Sequence, residues 1–355
     1  MTTTYKVIGL MSGTSLDGLD IAYCTFRNNE GKWFFEIEKA CCISYSEEWI
    51  KKLSTVEKLS AFEFVSLHNE YGYFLGKEVK KFITKNKIQA DFIASHGHTV
   101  FHQPAKKITY QIGSAECIAV ASGLNVISDF RTMDVALGGQ GAPLVPIGDS
   151  LLFADYDYCI NLGGFANLSY QYNNERIAYD ICPMNIVLNS LAQELSFSYD
   201  NKGILAKQGV VYQSLLDELE NIEYYHRKYP KSLGKEWLVE TFLPIISKYE
   251  LSVYDKLRTV SEHIVCQVLK ATKSSNNNAK LLFTGGGTYN DFIIGQIKTK
   301  SKHSIIIPQN TIIDFKEALI FAFLGVLRIR EEINCLKSVT GASKDNIGGK
   351  ILLVY

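Results

Sequence analysis

The chain has 355 residues, of which 46% are hydrophobic and 21% are charged, a composition that can bury two cores of ordinary domain size. Its 37 Lys and Arg balance its 37 Asp and Glu, so the formal net charge is zero and nothing indicates a basic nucleic-acid-binding face. The N-terminus lacks the apolar core of a signal peptide, and no apolar run approaches the roughly 20 residues that span a bilayer. We therefore expect a cytoplasmic protein without nucleic-acid or membrane partners.

In the first half of the chain, predicted strands and helices follow one another in the order βββαβαβ. The strands have apolar residues in alternation or in short runs, and the helices have them at a spacing of three to four residues. The segments, in chain order, are Tyr5–Leu10, Ile21–Phe26, Trp33–Ile43, Ser60–Asn86 (helix), Phe92–Ser95, Ser114–Ser122 (helix) and Val126–Ser128.

The second half repeats this order and ends on an additional amphipathic helix. The segments are Tyr158–Asn161, Ala166–Tyr172, Arg176–Tyr179, Ile186–Phe197 (helix), Val253–Lys273 (helix), Lys280–Phe283, Asn290–Lys298 (helix), Ser304–Ile307 and Phe315–Glu332 (helix). Because random assignments would seldom give one order twice, the repetition predicts two similar α/β domains that face each other across a cleft. We expect the first domain to span 1–130 and to be completed by 315–355. The second would span 131–314, with a polar insertion near 200–250.

Twelve consecutive residues, Gly9–Asp20, separate the first two predicted strands and carry glycines, hydroxyl groups and carboxylates. Gly13 and Gly18 permit tight backbone conformations, and the N–H groups of such a loop can hold phosphate oxygens. Asp17 and Asp20 are oxygen ligands of the kind that magnesium prefers. We therefore predict a nucleotide site with a metal here rather than a plain hairpin turn. The residues that we assign to this nucleotide site are Ser12, Gly13, Thr14, Ser15, Leu16, Asp17, Gly18 and Leu19.

Two further glycine turns follow predicted strands in the second half. Gly163 and Gly164 stand where the first glycine loop stands in the first half, so the two turns would grip one phosphate chain. Gly285–Gly287 leads to a helix near Asn290, and we assign this turn and Asn290 to ATP, because a helix N-terminus favours negative charge. Each turn alone is weak evidence, since a glycine turn between a strand and a helix is more often only a turn.

Several polar side chains follow predicted strands, where open α/β sheets bind ligands. His98 lies in a run with three histidines, which we interpret as contacts to substrate or to the domain interface rather than as metal ligands. Arg131 can clamp a carboxylate or phosphate, or it pairs structurally with Asp129 or Asp134. Asp180 is placed either for general-base catalysis or to cap the next helix, and the spacing alone does not decide between these.

Together these motifs resemble anhydro-N-acetylmuramic acid kinases, which belong to the actin, Hsp70 and sugar-kinase superfamily, over nearly the whole chain. The fold that this resemblance implies is α/β, with duplicated RNase H-like (actin-like ATPase) domains. The most specific segments are Gly9–Asp20, Ser128–Pro146, Asn161–Ser169, Thr284–Asn290 and Asp314–Leu324.

The resemblance implies a kinase that uses ATP and Mg²⁺ to convert 1,6-anhydro-N-acetylmuramic acid to N-acetylmuramic acid 6-phosphate in peptidoglycan recycling. It implies that Asp180 takes a proton from the water that opens the anhydro ring. Arg131 falls in the segment that serves the sugar and would meet its lactyl carboxylate, and we assign His98, Asp134 and Asn185 to the same sugar. The alternatives are a kinase of the same fold for another sugar or sugar acid, or a catalytically impaired protein that binds ATP or sugar. A homodimer is left open.

The chain departs from the family at one motif, Asp-Thr-Gly-Pro-Gly-Asn, where it has Asp180–Asn185, DICPMN. Cys182 and Met184 replace two glycines, which proteins use where φ is positive or where a ligand lies against the backbone. One hypothesis is that the loop has repacked, with Met184 against apolar neighbours such as Ile186 or Val187. The other is that Met184 points into the cleft and changes the sugar that is accepted.

Overall fold

A computed structural model describes residues 3–13, 16–273 and 278–354. They form two compact units, one of residues 1–152 and 315–355 and the other of residues 153–314. The first unit therefore extends past the expected boundary at 130. One reason is a buried ion pair in which Lys316 Nζ lies 2.7 Å from Asp149 Oδ1 and joins the segment before residue 152 to the C-terminal part of the chain.

Ten of the strands match predicted segments and differ from them mainly in length, whereas Ile108–Ile112 and Lys350–Leu352 were not predicted. In chain order they are β1 (Thr4–Ser12), β2 (Leu19–Asn29), β3 (Lys32–Ile43), β4 (Phe92–Gln103), β5 (Ile108–Ile112), β6 (Val126–Ser128), β7 (Tyr158–Leu162), β8 (Phe165–Tyr172), β9 (Glu175–Pro183), β10 (Lys280–Thr284), β11 (Ser304–Ile306) and β12 (Lys350–Leu352).

The helices include several short ones that periodicity did not predict. They are α1 (Glu47–Thr55), α2 (Ala61–Asn86), α3 (Ala115–Ser122), α4 (Thr132–Ala136), α5 (Val145–Leu152), α6 (Asn185–Glu194), α7 (Gln213–Glu220), α8 (Glu223–His226), α9 (Lys235–Trp237), α10 (Leu243–Ser247), α11 (Val253–Ala271), α12 (Asp291–Lys300), α13 (Asn310–Ile329) and α14 (Lys337–Thr340). Single 3₁₀ or π turns lie at Val56–Lys58, Pro104–Lys106, Asn201–Gly203, Ala206–Gln208, Leu238–Phe242 and Gly286–Tyr289. Within the part of the chain that the structure describes, no helix is long and apolar enough to cross a membrane.

The first unit is built on a mixed sheet with the order β12-β6-β4-β1-β2-β3, and β5 pairs with β4. β1, β2 and β3 are antiparallel neighbours, whereas β4 runs parallel to β1 and to β6. Helix α2 begins with a capping box, in which Ser60 and Glu63 satisfy each other's backbone N–H groups. Gly9 lets α13 approach β1 closely, because a Cβ there would lie 2.0 Å from the Ala318 carbonyl oxygen. This contact places the residues after 315 on the sheet of the first unit.

The second unit repeats this arrangement in a sheet with the order β11-β10-β7-β8-β9. Its first three strands are again antiparallel neighbours, and β10 runs parallel to β7 and to β11. Both sheets thus place their third, second and first strands side by side, followed by two parallel strands. The predicted duplicated RNase H-like pattern is confirmed. The core of this unit includes Leu162, Met184 and Phe283, all fully buried.

Candidate active site

A buried hydrogen-bond network holds Ser12, where the first glycine loop begins. Tyr45 donates its hydroxyl proton to Ser12 Oγ over 2.7 Å, and its oxygen lies 2.6 Å from the Tyr71 hydroxyl. Ser12 Oγ also lies 3.1 Å from His98 Nδ1. Burial lowers the pKa of His98 to about 4, so the ring is neutral near pH 7. His98 was predicted to contact the sugar. In the structure it is 3% exposed and lies against Ser12.

The loop itself directs one carboxylate into solvent. The Leu16 N–H donates to the Gly13 carbonyl over 3.4 Å and closes a turn. Asp17 is exposed and Asp20 is half-buried at the start of β2, and their role as metal ligands stays a prediction. Two predicted ATP-binding residues lie outside the described residues: Thr14 and Ser15.

Gly18 and Leu19 form the structural side of the same loop. A Cβ on Gly18 would lie 2.5 Å from the Ile43 carbonyl oxygen, so only glycine fits against β3. Leu19 is 1% exposed and pairs with Ile43 in the register between β2 and β3. Its side chain contributes to the core of the first unit rather than to a ligand site.

Arg131 is held in a fixed orientation by two acceptors. Its Nε and Nη2 donate to His96 Nε2 at 3.1 and 2.9 Å, and its Nη1 donates to the Gly141 carbonyl at 2.6 Å. His96 Nδ1 lies 2.9 Å from the Gly97 carbonyl, so that nitrogen carries the proton and Nε2 accepts. Burial, together with the Arg131 charge, keeps the pKa of His96 well below its usual value. A guanidinium has five N–H donors, so these bonds leave two for a ligand.

Neither carboxylate considered as a structural partner of Arg131 forms an ion pair with it. Asp129 Oδ2 lies 2.7 Å from Lys350 Nζ instead. Asp134 is fully buried and accepts other hydrogen bonds. Arg131 is thus bonded to His96 and the Gly141 carbonyl rather than to either carboxylate, and its role as a clamp for an anionic group stays a prediction.

Asp134 joins the turn after α4 to the C-terminal segment. Its Oδ2 accepts the Gly141 N–H at 2.7 Å. Its Oδ1 accepts from Thr340 Oγ1 at 2.8 Å, from Asn346 Nδ2 at 2.9 Å and from Cys335 Sγ at 3.1 Å. With a fully buried side chain, Asp134 has no surface to offer to a sugar. The sequence predicted a substrate contact, and the geometry gives a supporting role.

Glu317 on α13 is an acidic side chain that sequence reasoning did not single out. It is exposed, whereas its neighbours Lys316 and Ala318 are buried. Desolvation by the surrounding protein raises the pKa of the Glu317 carboxyl. The Arg131 charge opposes this rise, and the Asp20 charge adds to it. The sequence signal that could have found this position is its place in Asp314–Leu324, one of the segments most specific for the family resemblance.

The Gly163 and Gly164 turn is fastened to the start of α6. The Met184 N–H donates to the Gly164 carbonyl at 2.8 Å, and the Asn185 N–H donates to the Gly163 carbonyl at 3.2 Å. Asn185 also donates its side-chain N–H to the Leu162 carbonyl at 3.1 Å. Asn185, predicted to bind the sugar, thus orients this glycine turn with its Nδ2 and retains its Oδ1 as an acceptor.

The Gly285–Gly287 turn requires glycine for its conformation. Gly285 has φ +84°, and a Cβ there would lie 2.4 Å from Asn161 Oδ1. A Cβ on Gly286 would have no heavy atom within 4 Å, so a ligand can approach its backbone. Asn290 caps α12, since the Ile293 N–H donates to its Oδ1 at 3.1 Å. The Oδ1 of Asn290 is therefore used to cap this helix.

Asp180 lies on β9 beside a β-bulge in which Ile181 is the extra residue. Its Oδ2 accepts the Leu233 N–H at 2.8 Å, and its carbonyl accepts the Tyr224 hydroxyl proton at 2.6 Å. Burial raises the pKa of the Asp180 carboxyl, and the Leu233 bond acts in the opposite direction. Met184, not Asp180, is the N-cap residue of α6. The helix-cap alternative for Asp180 is thus excluded.

The two residues that replace the family glycines are both fully buried in the second unit. Met184 has φ −134°, and neither it nor Cys182 has a positive φ. A Cβ on Gly287 would lie 2.4 Å from Met184 Cε and 2.8 Å from Leu162 Cβ. The Met184 side chain therefore lies in the core next to the Gly285–Gly287 turn, with Leu162 and Gly287 as its neighbours. The repacking hypothesis requires such a buried position.

Comparisons with known proteins identify the family of the chain. The family described as anhydro-N-acetylmuramic acid kinase matches residues 5–353. The relative of that name from Francisella tularensis subsp. novicida is 34% identical over 97% of each chain, and the one from Clostridioides difficile is 33% identical over 97% of each chain.

Solved structures resemble the chain more distantly. The activator of 2-hydroxyisocaproyl-CoA dehydratase from Clostridium difficile with bound ADPNP has a TM-score of 0.43 at 13% identity, covering 92% of this chain and 97% of that one. A ROK family glucokinase from Streptomyces griseus has a TM-score of 0.38 at 11% identity, covering 90% and 98%. Because the family match spans nearly the whole chain and relatives above 30% identity cover it throughout, the chain belongs to the anhydro-N-acetylmuramic acid kinase family.

Proposed function

We propose that this family member uses ATP to phosphorylate 1,6-anhydro-N-acetylmuramic acid and that Asp180 is its general base. The observation that carries the proposal is the state of this carboxylate: Oδ2 is held by the Leu233 N–H, and Oδ1 has no hydrogen-bond partner among the described residues. A kinase for another sugar and a catalytically impaired protein are not favoured, because the family match is continuous and Asp180 is retained.

The reaction has two coupled parts. Asp180 accepts a proton from water, and the water oxygen attacks the anomeric carbon of the sugar. The bond between that carbon and O6 breaks, and O6 takes the γ-phosphoryl group as ADP leaves. Burial makes the carboxylate a better base by raising its pKa, while the Leu233 N–H keeps it ionised.

ATP would be held mainly by backbone N–H groups of the glycine turns. Gly286 fits this role, because its backbone is open on the side where a side chain would stand. Gly164 is similarly open, with Ile186 Cβ at 3.9 Å as the nearest atom to a Cβ placed there. Phosphoryl transfer requires chiefly positioning and neutralisation of charge, which such turns supply.

Magnesium fits the carboxylates of the first loop. Within residues 3–13, 16–273 and 278–354, no three Asp, Glu, His or Cys side chains are grouped as a ligand set. Magnesium bound with ATP needs only one or two carboxylates, since phosphate oxygens and water complete its shell. Asp17 and Asp20 would provide these, and the bound ion would neutralise phosphate charge.

The sugar would be recognised through its acidic substituent. The two N–H groups that remain on Arg131 suit a bidentate bond to the lactyl carboxylate. The neutral His96 and the Gly141 carbonyl fix the guanidinium beforehand, so little ordering is needed on binding. Glu317 would accept a hydrogen bond from a sugar hydroxyl or amide. The use of ATP favours the cytoplasm as the compartment, and a homodimer remains a prediction.

The test is the reaction of Asp180→Asn with ATP, magnesium and the anhydro sugar in water labelled with heavy oxygen. We expect ATP affinity to persist and turnover to be almost lost, because an amide cannot accept the proton. In the wild type the label should enter the anomeric hydroxyl. Asp217→Asn, on the exposed face of α7, is the matched control. Label found only in phosphate, or full activity of the Asp180 variant, would contradict the proposal.

A further inference from the structure

The polar insertion of the second unit contacts Asp180 from two directions. We name residues 223–237, which contain α8 and α9, the clamp segment. Tyr224 near its start donates its hydroxyl proton to the Asp180 main-chain carbonyl at 2.6 Å. Leu233 near its end donates its N–H to Asp180 Oδ2 at 2.8 Å. One bond fixes the backbone of Asp180 and the other fixes its carboxylate.

Lys231 ties the two arms of the clamp segment together. Its Nζ donates to the Tyr224 carbonyl at 3.1 Å and lies 4.6 Å from the centre of the Tyr224 ring. The same ammonium group lies 5.3 Å from the centre of the Tyr179 ring, on the residue before Asp180. Tyr229 stacks on Tyr179 with ring planes 8° apart and centroids 6.3 Å apart. A cation between two aromatic faces thus connects both arms with β9.

Helix α8 is in turn fixed to the core of the second unit. The Tyr225 hydroxyl lies 2.9 Å from His263 Nε2, and His263 Nδ1 lies 2.5 Å from Glu220 Oε1. Since a carboxylate only accepts, Nδ1 carries the proton and Nε2 accepts from Tyr225. Lys270 forms an ion pair with the same Glu220. The clamp segment therefore rests on a buried chain of polar groups.

We propose that the clamp segment positions the catalytic base: Tyr224 and Lys231 hold the Leu233 N–H on Asp180 Oδ2, so that Oδ1 is the atom that takes the proton from water. This inference rests on the base role proposed for Asp180. Tyr224, Lys231 and Leu233 are positioning residues, since they act through Asp180.

The pH dependence of the reaction reports on this arrangement. The ionisable groups that face Asp180 are Cys182 on its own strand and Tyr224 on α8, and burial raises the pKa of both, so both are neutral near pH 7. Lys231 is the nearby cation of the clamp segment, and burial lowers its pKa. The acid limb of kcat/KM is thus assigned to Asp180. Loss of the Leu233 bond raises the pKa of Asp180, and the acid limb moves to higher pH by about one unit, the worth of one hydrogen bond to a charged group.

The experiment compares Lys231→Met with Lys231→Arg in the full-length protein. Methionine keeps the length of the side chain but removes its charge and donor. We expect Lys231→Met to move the acid limb up by about one pH unit, and so to reduce kcat/KM about tenfold on that limb, with ATP affinity unchanged. Lys231→Arg keeps a cation over the rings and should restore most of the loss. Tyr249→Phe, whose hydroxyl bonds Glu218 at 2.7 Å, is the control for loss of a hydrogen bond elsewhere in the unit.

Tyr224→Phe removes one hydroxyl group and repeats the test if Lys231→Met does not fold. A raised KM for the sugar with an unmoved acid limb would overturn the inference, because Lys231 would then contact the sugar itself. An unchanged profile in both Lys231→Met and Tyr224→Phe would also overturn it. Full activity of Asp180→Asn would instead refute the base role, so the two failures are distinguishable.

Discussion

Met184→Gly tests whether the family glycine has been replaced by a core residue. Met184 is fully buried, and its terminal methyl lies against Gly287 in the Gly285–Gly287 turn. Truncation of a buried Met to Ala costs about 2–5 kcal/mol through lost burial and the cavity that remains. Glycine adds about 0.5–1 kcal/mol of backbone entropy. We therefore expect the free energy of unfolding to fall by about 2.5–6 kcal/mol.

Thermal unfolding monitored by circular dichroism measures this effect. In a unit of this size, 1 kcal/mol corresponds to about 2–4 °C, so the unfolding midpoint should fall by roughly 10 °C. Met184→Leu conserves volume and should cost less than about 1.5 kcal/mol. Because the space opens beneath Gly287, the KM for ATP should also rise in the glycine variant but not in the leucine variant.

The opposite result would refute this reasoning. If Met184 occupied space that the sugar needs, Met184→Gly would keep wild-type stability, and kcat/KM on the anhydro sugar would rise strongly. The double variant with Cys182→Gly sharpens the comparison, since Cys182 is also fully buried and its truncation should add to the destabilisation. A stable and faster double variant would show that the two family glycines serve substrate access.

Arg131→Lys should raise the KM for the sugar about tenfold with little change in KM for ATP, because lysine cannot keep the bidentate geometry; equal effects on both substrates in steady-state kinetics would contradict this. Gly285→Ala should weaken ATP binding in calorimetric titration, because φ +84° with ψ 160° costs a residue with a Cβ about 1–3 kcal/mol and Asn161 must move. Asp134→Ala should lower the unfolding midpoint strongly, since each buried donor left without an acceptor costs about 1–3 kcal/mol; an unchanged midpoint with a raised sugar KM would restore its predicted contact with substrate.

Periodicity and glycine placement determined the duplicated fold. The antiparallel strands β1–β3 and β7–β9 are joined by short turns, so local alternation and turn residues suffice to identify them. The glycine turn at Gly285 could be found for the same reason, because its positive φ and its close approach to Asn161 restrict the residue type locally. The motif segments also identified the family without any structure.

Burial and long-range packing decided what each polar side chain does. The sequence predicts that His98 and Asp134 contact a sugar, but both side chains are buried by contacts with distant segments. The partners of Asp180 lie 44 and 53 residues away in Tyr224 and Leu233, inside a stretch that reads only as a polar insertion. In the motif alone, Met184 could block the site, but its side chain lies in the core next to Gly287. Local patterns carry the conformational preferences of neighbouring residues, whereas the tertiary structure alone brings together groups whose separation along the chain exceeds any turn or helix period.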